Sequence, residues 1–205
     1  MLSVIKKFVE NSLSKPNLVL AGILLVLPFA LLFIFGLFLG LPINFGGLFF
    51  QLIREAALFI IAAGLLYLLI YYLKGNDVKG KFTGILTALS IRYAFNIALL
   101  LVSIIIIFAV VPEFFTAIRE IDPYSLSNEE AVNELGLKIE QITVQNEGAL
   151  AIGFGLILLF VLAFIAMNLY LVYSIIKHSS KENPSRALFV FIMFFVMQLL
   201  LLAFF

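Results

Sequence analysis

The chain has 205 residues, 64% of them hydrophobic and 12% charged, and its mean hydropathy of +1.19 lies well outside the range of water-soluble globular proteins. Cysteine is absent and histidine occurs once, at His178, which excludes disulfide frameworks, thiol catalysis and cysteine-based metal sites. The formal net charge of +1 conceals an uneven distribution along the chain, and that distribution carries the topology.

Residues 1–16 open the chain with Leu2, Ile5, Phe8, Val9 and Leu13 near helical spacing and Lys6 and Lys7 elsewhere on the turn, the pattern of a short helix lying in the cytoplasmic interface. The positive start resembles that of a signal peptide, but the apolar region that follows is too long and lacks a small-residue cleavage site. No charged residue occurs in the 38 positions between Lys15 and Arg54. As one helix that run would extend roughly 57 Å against a hydrocarbon core of about 30 Å, so it must turn. Gly40, Pro42, Gly46 and Gly47 supply the break. Span one is therefore read as residues 18–39 and span two as 48–73.

Arg54 and Glu55 stand two turns into span two. A charge at such depth is costly enough to mark a functional candidate. Two structural alternatives stand beside that reading: the helix begins near Ala56, leaving both charges in the interface, or they pair with residues such as those of the acidic loop described below. Span three covers residues 93–111, bounded by Arg92 and Pro112, and places Arg92, Asn96 and Ser103 at i, i+4 and i+11 on one stripe.

Residues 112–148 form the one sizeable segment outside lipid, and a structureless stretch of that length is unusual. Ser127 followed by Glu130 matches a capping box, and Val132, Leu135, Ile139 and Ile142 then recur on one helical face. An amphipathic helix is expected there, either packed over the outer ends of the spans or presenting that face to a partner. Span four covers residues 149–176 and contains Asn168; span five covers 187–205 and contains Gln198. The amides Asn96, Asn168 and Gln198 suit interhelical hydrogen bonding, and Gly148, Ala151 and Gly155 suit close helix contact. His178, beside Lys177 at a helix C-terminus, reads as a solvated interface residue.

The whole is an all-α, polytopic membrane helix bundle of five transmembrane helices: spans one to three in residues 17–111, an acidic outer loop over 112–148, and spans four and five in 149–205. Period-2 barrel strands are not in evidence, and a spanning segment must satisfy its backbone polar groups internally. Ten basic residues fall in the segments before span one, between spans two and three and between spans four and five, whereas the opposite side holds two, Arg119 and Lys138, against eight acidic ones. The positive-inside rule then puts the N-terminus in the cytoplasm and the C-terminus outside. Tyr67, Tyr71, Tyr72, Tyr170 and Tyr173 would fall at the inner membrane interface, where an aromatic belt belongs.

Leu65-Leu66-Tyr67-Leu68-Leu69-Ile70-Tyr71-Tyr72-Leu73-Lys74-Gly75 leads into Gly80-Lys81-Phe82-Thr83-Gly84-Ile85-Leu86 and then Tyr93-Ala94. This resembles the Yip family of five-span membrane proteins, named for interacting with Ypt/Rab GTPases: an apolar helix, a glycine and basic turn, a Ser/Thr-Phe pair and a Tyr-Ala step. Here the pair is inverted as Phe82-Thr83, and Phe95-Asn96 stands where the family often has a proline. In eukaryotic members the resemblance implies vesicle-traffic factors that recruit prenylated GTPases through a cytoplasmic N-terminal region. With about 16 residues in that region, this chain reads instead as a prokaryotic cell-membrane protein of the same architecture.

Phosphate-binding glycine loops, paired histidines and Gly-x-Ser-x-Gly are all missing from the sequence. The expectation is a non-enzymatic scaffold or accessory subunit without cofactor or nucleic-acid partner, embedded in lipid beside other membrane subunits or copies of itself. The alternative is a small transporter or channel subunit using Arg54, Glu55 and Asn96.

Overall fold

A chain this apolar has nowhere to hide an unpaired backbone amide except in helical hydrogen bonds, and the computed structural model follows that constraint. It describes residues 2–38, 44–74, 82–119, 129–180 and 184–204. These form eight α-helices: α1 (Leu2–Ser14), α2 (Leu18–Phe38), α3 (Phe45–Lys74), α4 (Phe82–Val110), α5 (Pro112–Arg119), α6 (Glu129–Gln145), α7 (Glu147–Ser180) and α8 (Pro184–Phe204). No strand occurs among the described residues.

Four helices are long and apolar enough to cross a membrane, over Leu18–Leu37, Phe45–Tyr72, Phe82–Val110 and Glu147–Ser179, and the described part of α8 adds a shorter apolar stretch, Ser185–Leu199. The expected all-helical membrane architecture is present, with several boundaries displaced. Helix α3 begins at Phe45 rather than at residue 48, because Asn44 caps it: its side-chain oxygen accepts from the Gly47 amide at 2.9 Å and its carbonyl from Leu48 at 3.0 Å. Gly46 and Gly47 are thus first-turn helical residues, not the turn, while residues 39–43 lie outside the described part. The alternative in which this helix starts near Ala56 is overturned: Arg54 and Glu55 sit inside α3.

Helix α4 starts at Phe82, eleven residues before the expected start of span three, so Arg92 is an interior helical residue. The unexpected helix is α5. Pro112 has no amide to continue α4 but suits a first helical position, and Val111 alone separates the two helices. The helix expected in residues 112–148 is present as α6. Ser127 and the side chains of Val132 and Leu135 lie outside the described part; on the same face Ile142 is half-buried and Ile139 exposed, while Leu137, off that face, is 62% exposed.

The chain divides into two compact units. The first comprises Met1–Val26, Phe49–Ala94 and Ile165–Phe205. Its core is laid down at helical spacing: Phe59, Ala62, Ala63, Leu66 and Ile70 on α3, Ile85, Ala88 and Leu89 on α4, Leu171 and Ile175 on α7, Val190 and Phe194 on α8. Helix α1 joins this unit through Ile5 and Val9, both essentially fully buried, while Lys6 and Lys7 face outward. Asn17 caps α2 by accepting from the Leu20 amide at 2.9 Å, and its own amide donates to Thr87 Oγ1 of α4 at 3.2 Å. The Thr87 hydroxyl in turn donates to the Thr83 carbonyl at 2.8 Å, so this buried group is satisfied on both sides.

The second unit comprises Leu27–Leu48 and Phe95–Phe164. Rings set its contacts: Phe33 with Phe45 at 5.3 Å, Phe35 with Phe108 at 6.2 Å, Phe95 with Phe164 at 6.2 Å. The short helix α5 packs against α6. Of the small residues expected to allow close helix approach, Gly148 and Gly155 face open space. Gly153 makes the contact instead, where an added Cβ would lie 3.3 Å from the Val110 side chain.

A tighter approach occurs at Gly84, where a Cβ would lie 3.0 Å from Leu13 Cα and 3.1 Å from the Ser12 carbonyl oxygen. Backbone on one side and helix on the other leave nothing to yield, so Gly84→Ala is expected to cost about 1–3 kcal/mol. In the solubilised protein it should lower the thermal midpoint followed by circular dichroism. Gly64→Ala, in open space inside α3, should hold or raise it.

Candidate functional site

Arg92 stands ten residues from the start of α4, roughly 15 Å along the helix axis. It is half-buried, and it lines two neighbouring cavities of the first unit. The smaller, about 170 Å³, is formed by Glu55, Leu58, Phe59 and Ala62 of α3, Arg92 and Tyr93 of α4, and Gln198 of α8. The larger, about 230 Å³, is formed by Leu89 and Arg92, by Ile165, Asn168, Leu169, Leu171 and Val172 of α7, and by Phe194, Phe195 and Gln198 of α8. Arg92 and Gln198 are common to both.

Helical periodicity produces this convergence. Glu55, Phe59 and Ala62 recur at four- and three-residue steps on the face of α3 that also carries the core residues Leu66 and Ile70. On α8, Gln198 follows Phe194 by four residues, and on α7, Asn168 precedes Val172 by four. Tyr93 is buried and meets Phe59 edge-on at 5.3 Å, which closes one wall of the smaller cavity. Among the described residues the Arg92 guanidinium has no hydrogen-bond or ion-pair partner.

The intramembrane candidates thus separate into two groups. Glu55, Asn168 and Gln198 line the cavities around Arg92, so Asn168 and Gln198 are not isolated amides. Arg54 and Asn96 are exposed and line neither, so of the stripe from Arg92 through Asn96 to Ser103 only Arg92 lines these two cavities. Sequence reasoning missed the importance of Tyr93 and of Arg92 as a lining residue because Arg92 was taken as the end of a span. The available signal was the apolar spacing of Ile85, Ala88 and Leu89, which carries the helix to Arg92 from the N-terminal side.

His178, expected as a solvated interface residue, keeps only part of its side chain exposed. It is half-buried in α7, with Nδ1 2.8 Å from the Ser174 carbonyl oxygen and Nε2 3.1 Å from Glu10 Oε1 of α1. A carbonyl accepts, so Nδ1 donates to Ser174, while Nε2 faces the Glu10 carboxylate of another helix. This is a tether between helices rather than a ligand set, and among the described residues no three His, Asp or Glu side chains are grouped to hold a metal ion.

Because both partners are partly solvated, Glu10→Gln is expected to loosen α1 modestly, raising its amide exchange about twofold. Lys6→Gln, which removes only a 3.9 Å surface pair with Glu10, should leave that exchange unchanged. No family model, curated protein or solved structure matches the chain.

Proposed function

We propose that the chain is a five-span integral membrane protein of the Yip-like kind, with its N-terminus in the cytoplasm and its C-terminus outside, acting as a non-enzymatic scaffold or accessory subunit of a membrane complex. The observation that carries this reading is how the first unit is filled. Between the Arg92 cluster and the helix ends at Lys74, Phe82 and Ser180 lie Leu66 and Ile70, Ile85 and Leu89, and Leu171 and Ile175, all essentially fully buried. A closely packed, mainly apolar layer of this kind supports a structural role and opposes a continuous aqueous path. The fifth span is supported by α8, whose 21 residues extend about 31 Å and whose Leu188, Phe189, Ile192, Val196 and Leu199 face outward. Helix α2 supports assembly with other subunits or with a second copy, since only 6% of its most apolar stretch is buried within this chain.

A second reading, a small transporter or channel subunit, is favoured by the two cavities at Arg92 and Gln198. Of the residues that reading first invoked, Glu55 contributes to a cavity and Arg54 and Asn96 do not.

The native protein has no cysteine, so single cysteines report topology without background. Cysteine at Asn133 and one appended after Phe205 should react with an impermeant maleimide in intact cells, and cysteine at Lys177 only after lysis. Protection of the appended cysteine until lysis would leave four spans and overturn the orientation of the C-terminus. Mild-detergent purification followed by mass spectrometry tests the role itself: a stoichiometric partner lost on changing Val132, Leu135 and Ile139 to Ser supports the scaffold, and a chain that runs alone favours the transporter.

A further inference from the structure

The two cavities at Arg92 differ in one respect that decides what they can hold. Glu55 lines the smaller and gives that cavity an acidic wall, although it makes no ion pair with Arg92. The larger contains no acidic residue: its polar groups are Arg92, Asn168 and Gln198, a guanidinium and two carboxamides able to donate. Its remaining walls are apolar, among them Leu169, Val172 and Phe194.

An arginine inside an apolar helix is strongly disfavoured without an anion, and among the described residues none pairs with Arg92. A volume of about 230 Å³ exceeds that of several waters, each about 30 Å³ in the liquid, and accommodates a phosphate or carboxylate head with the first methylenes of a chain. A free inorganic anion would leave the apolar walls against water; an anion on an acyl chain satisfies both surfaces.

We propose that the cavity between α4, α7 and α8 is a binding site for the head of an anionic lipid, with Arg92 pairing to the oxyanion and Gln198 and Asn168 donating to its remaining oxygens. The site stands independently of the scaffold reading. A lipid held there supplies an anion for Arg92, whether or not a protein partner is present.

The chain contains no tryptophan, so Leu169→Trp places a single reporter in the cavity wall. In vesicles of phosphatidylcholine, brominated phosphatidylglycerol should quench that tryptophan with a relative association constant about tenfold above that of brominated phosphatidylcholine. The preference should fall to near unity in the Arg92→Gln background and return in part with Arg92→Lys. Preference for a brominated fatty acid over brominated phosphatidylglycerol, with the same dependence on Arg92, would identify a carboxylate head and supports the site. Equal quenching by all lipids, a preference unchanged by Arg92→Gln, or reversal by millimolar inorganic phosphate would overturn it. Circular dichroism checks that Arg92→Gln remains folded, and Gln198→Leu, which leaves the charge in place, should lower the preference by a smaller factor.

Discussion

Every backbone amide in this chain that cannot reach water must find its partner inside a helix, and the places where helices stop are therefore chemically specified. Asparagine and proline mark them. Asn17 opens α2, Asn44 opens α3, and Pro112 and Pro184 take first-turn positions at α5 and α8. Between α6 and α7 only Asn146 intervenes: its amide donates to the Ile142 carbonyl at 3.1 Å, its side chain donates to the same carbonyl at 3.0 Å, and its own carbonyl accepts from Leu150. Helical i→i−4 bonding thus runs through Asn146, and no backbone polar group is stranded where α6 passes into α7.

The same constraint governs side chains. Thr87 and Ser90 are fully buried in α4, and each returns its hydroxyl to a carbonyl of its own helix, at 2.8 and 2.7 Å. Lipid tails are as apolar as leucine, so burying the leucines and isoleucines of α3 and α7 contributes close packing rather than removal from water. Fit then matters more than hydrophobic area. Gly84, where α4 meets the end of α1, is a contact that a single methyl group would spoil, whereas Gly64 has room to spare.

The helical type of the long apolar segments was legible from run length alone; four of them are long enough to cross a membrane, and the described part of α8 adds a shorter apolar stretch. Boundaries were not, where one residue type carried two meanings. Gly46 and Gly47 looked like a turn and are the first turn of α3, because Asn44 three residues earlier fixes the helix start. Arg92 looked like a span boundary and is ten residues inside α4, since a long arginine stem can follow an apolar wall while its head seeks a polar group. The cluster itself was illegible for a different reason. Glu55, Arg92, Asn168 and Gln198 come from four helices separated by long stretches of chain, and nothing in their local patterns says which helices are neighbours.

Helix α1 shows what that missing information contains. Its periodicity foretold a helix with a buried stripe, but not that Glu10 would meet His178, more than 160 residues away, nor that Leu13 would rest against Gly84. The contacts are of different kinds: apolar burial of Ile5 and Val9, a polar tether from Glu10 to α7, a backbone approach to α4, and, just beyond, the Asn17 amide on Thr87. Apolar burial alone would let a short amphipathic helix slide or rotate, because lipid offers the same apolar contact. The directional hydrogen bonds and the glycine notch fix its register, and the residues that fix it are the few polar and small ones that composition gives least weight.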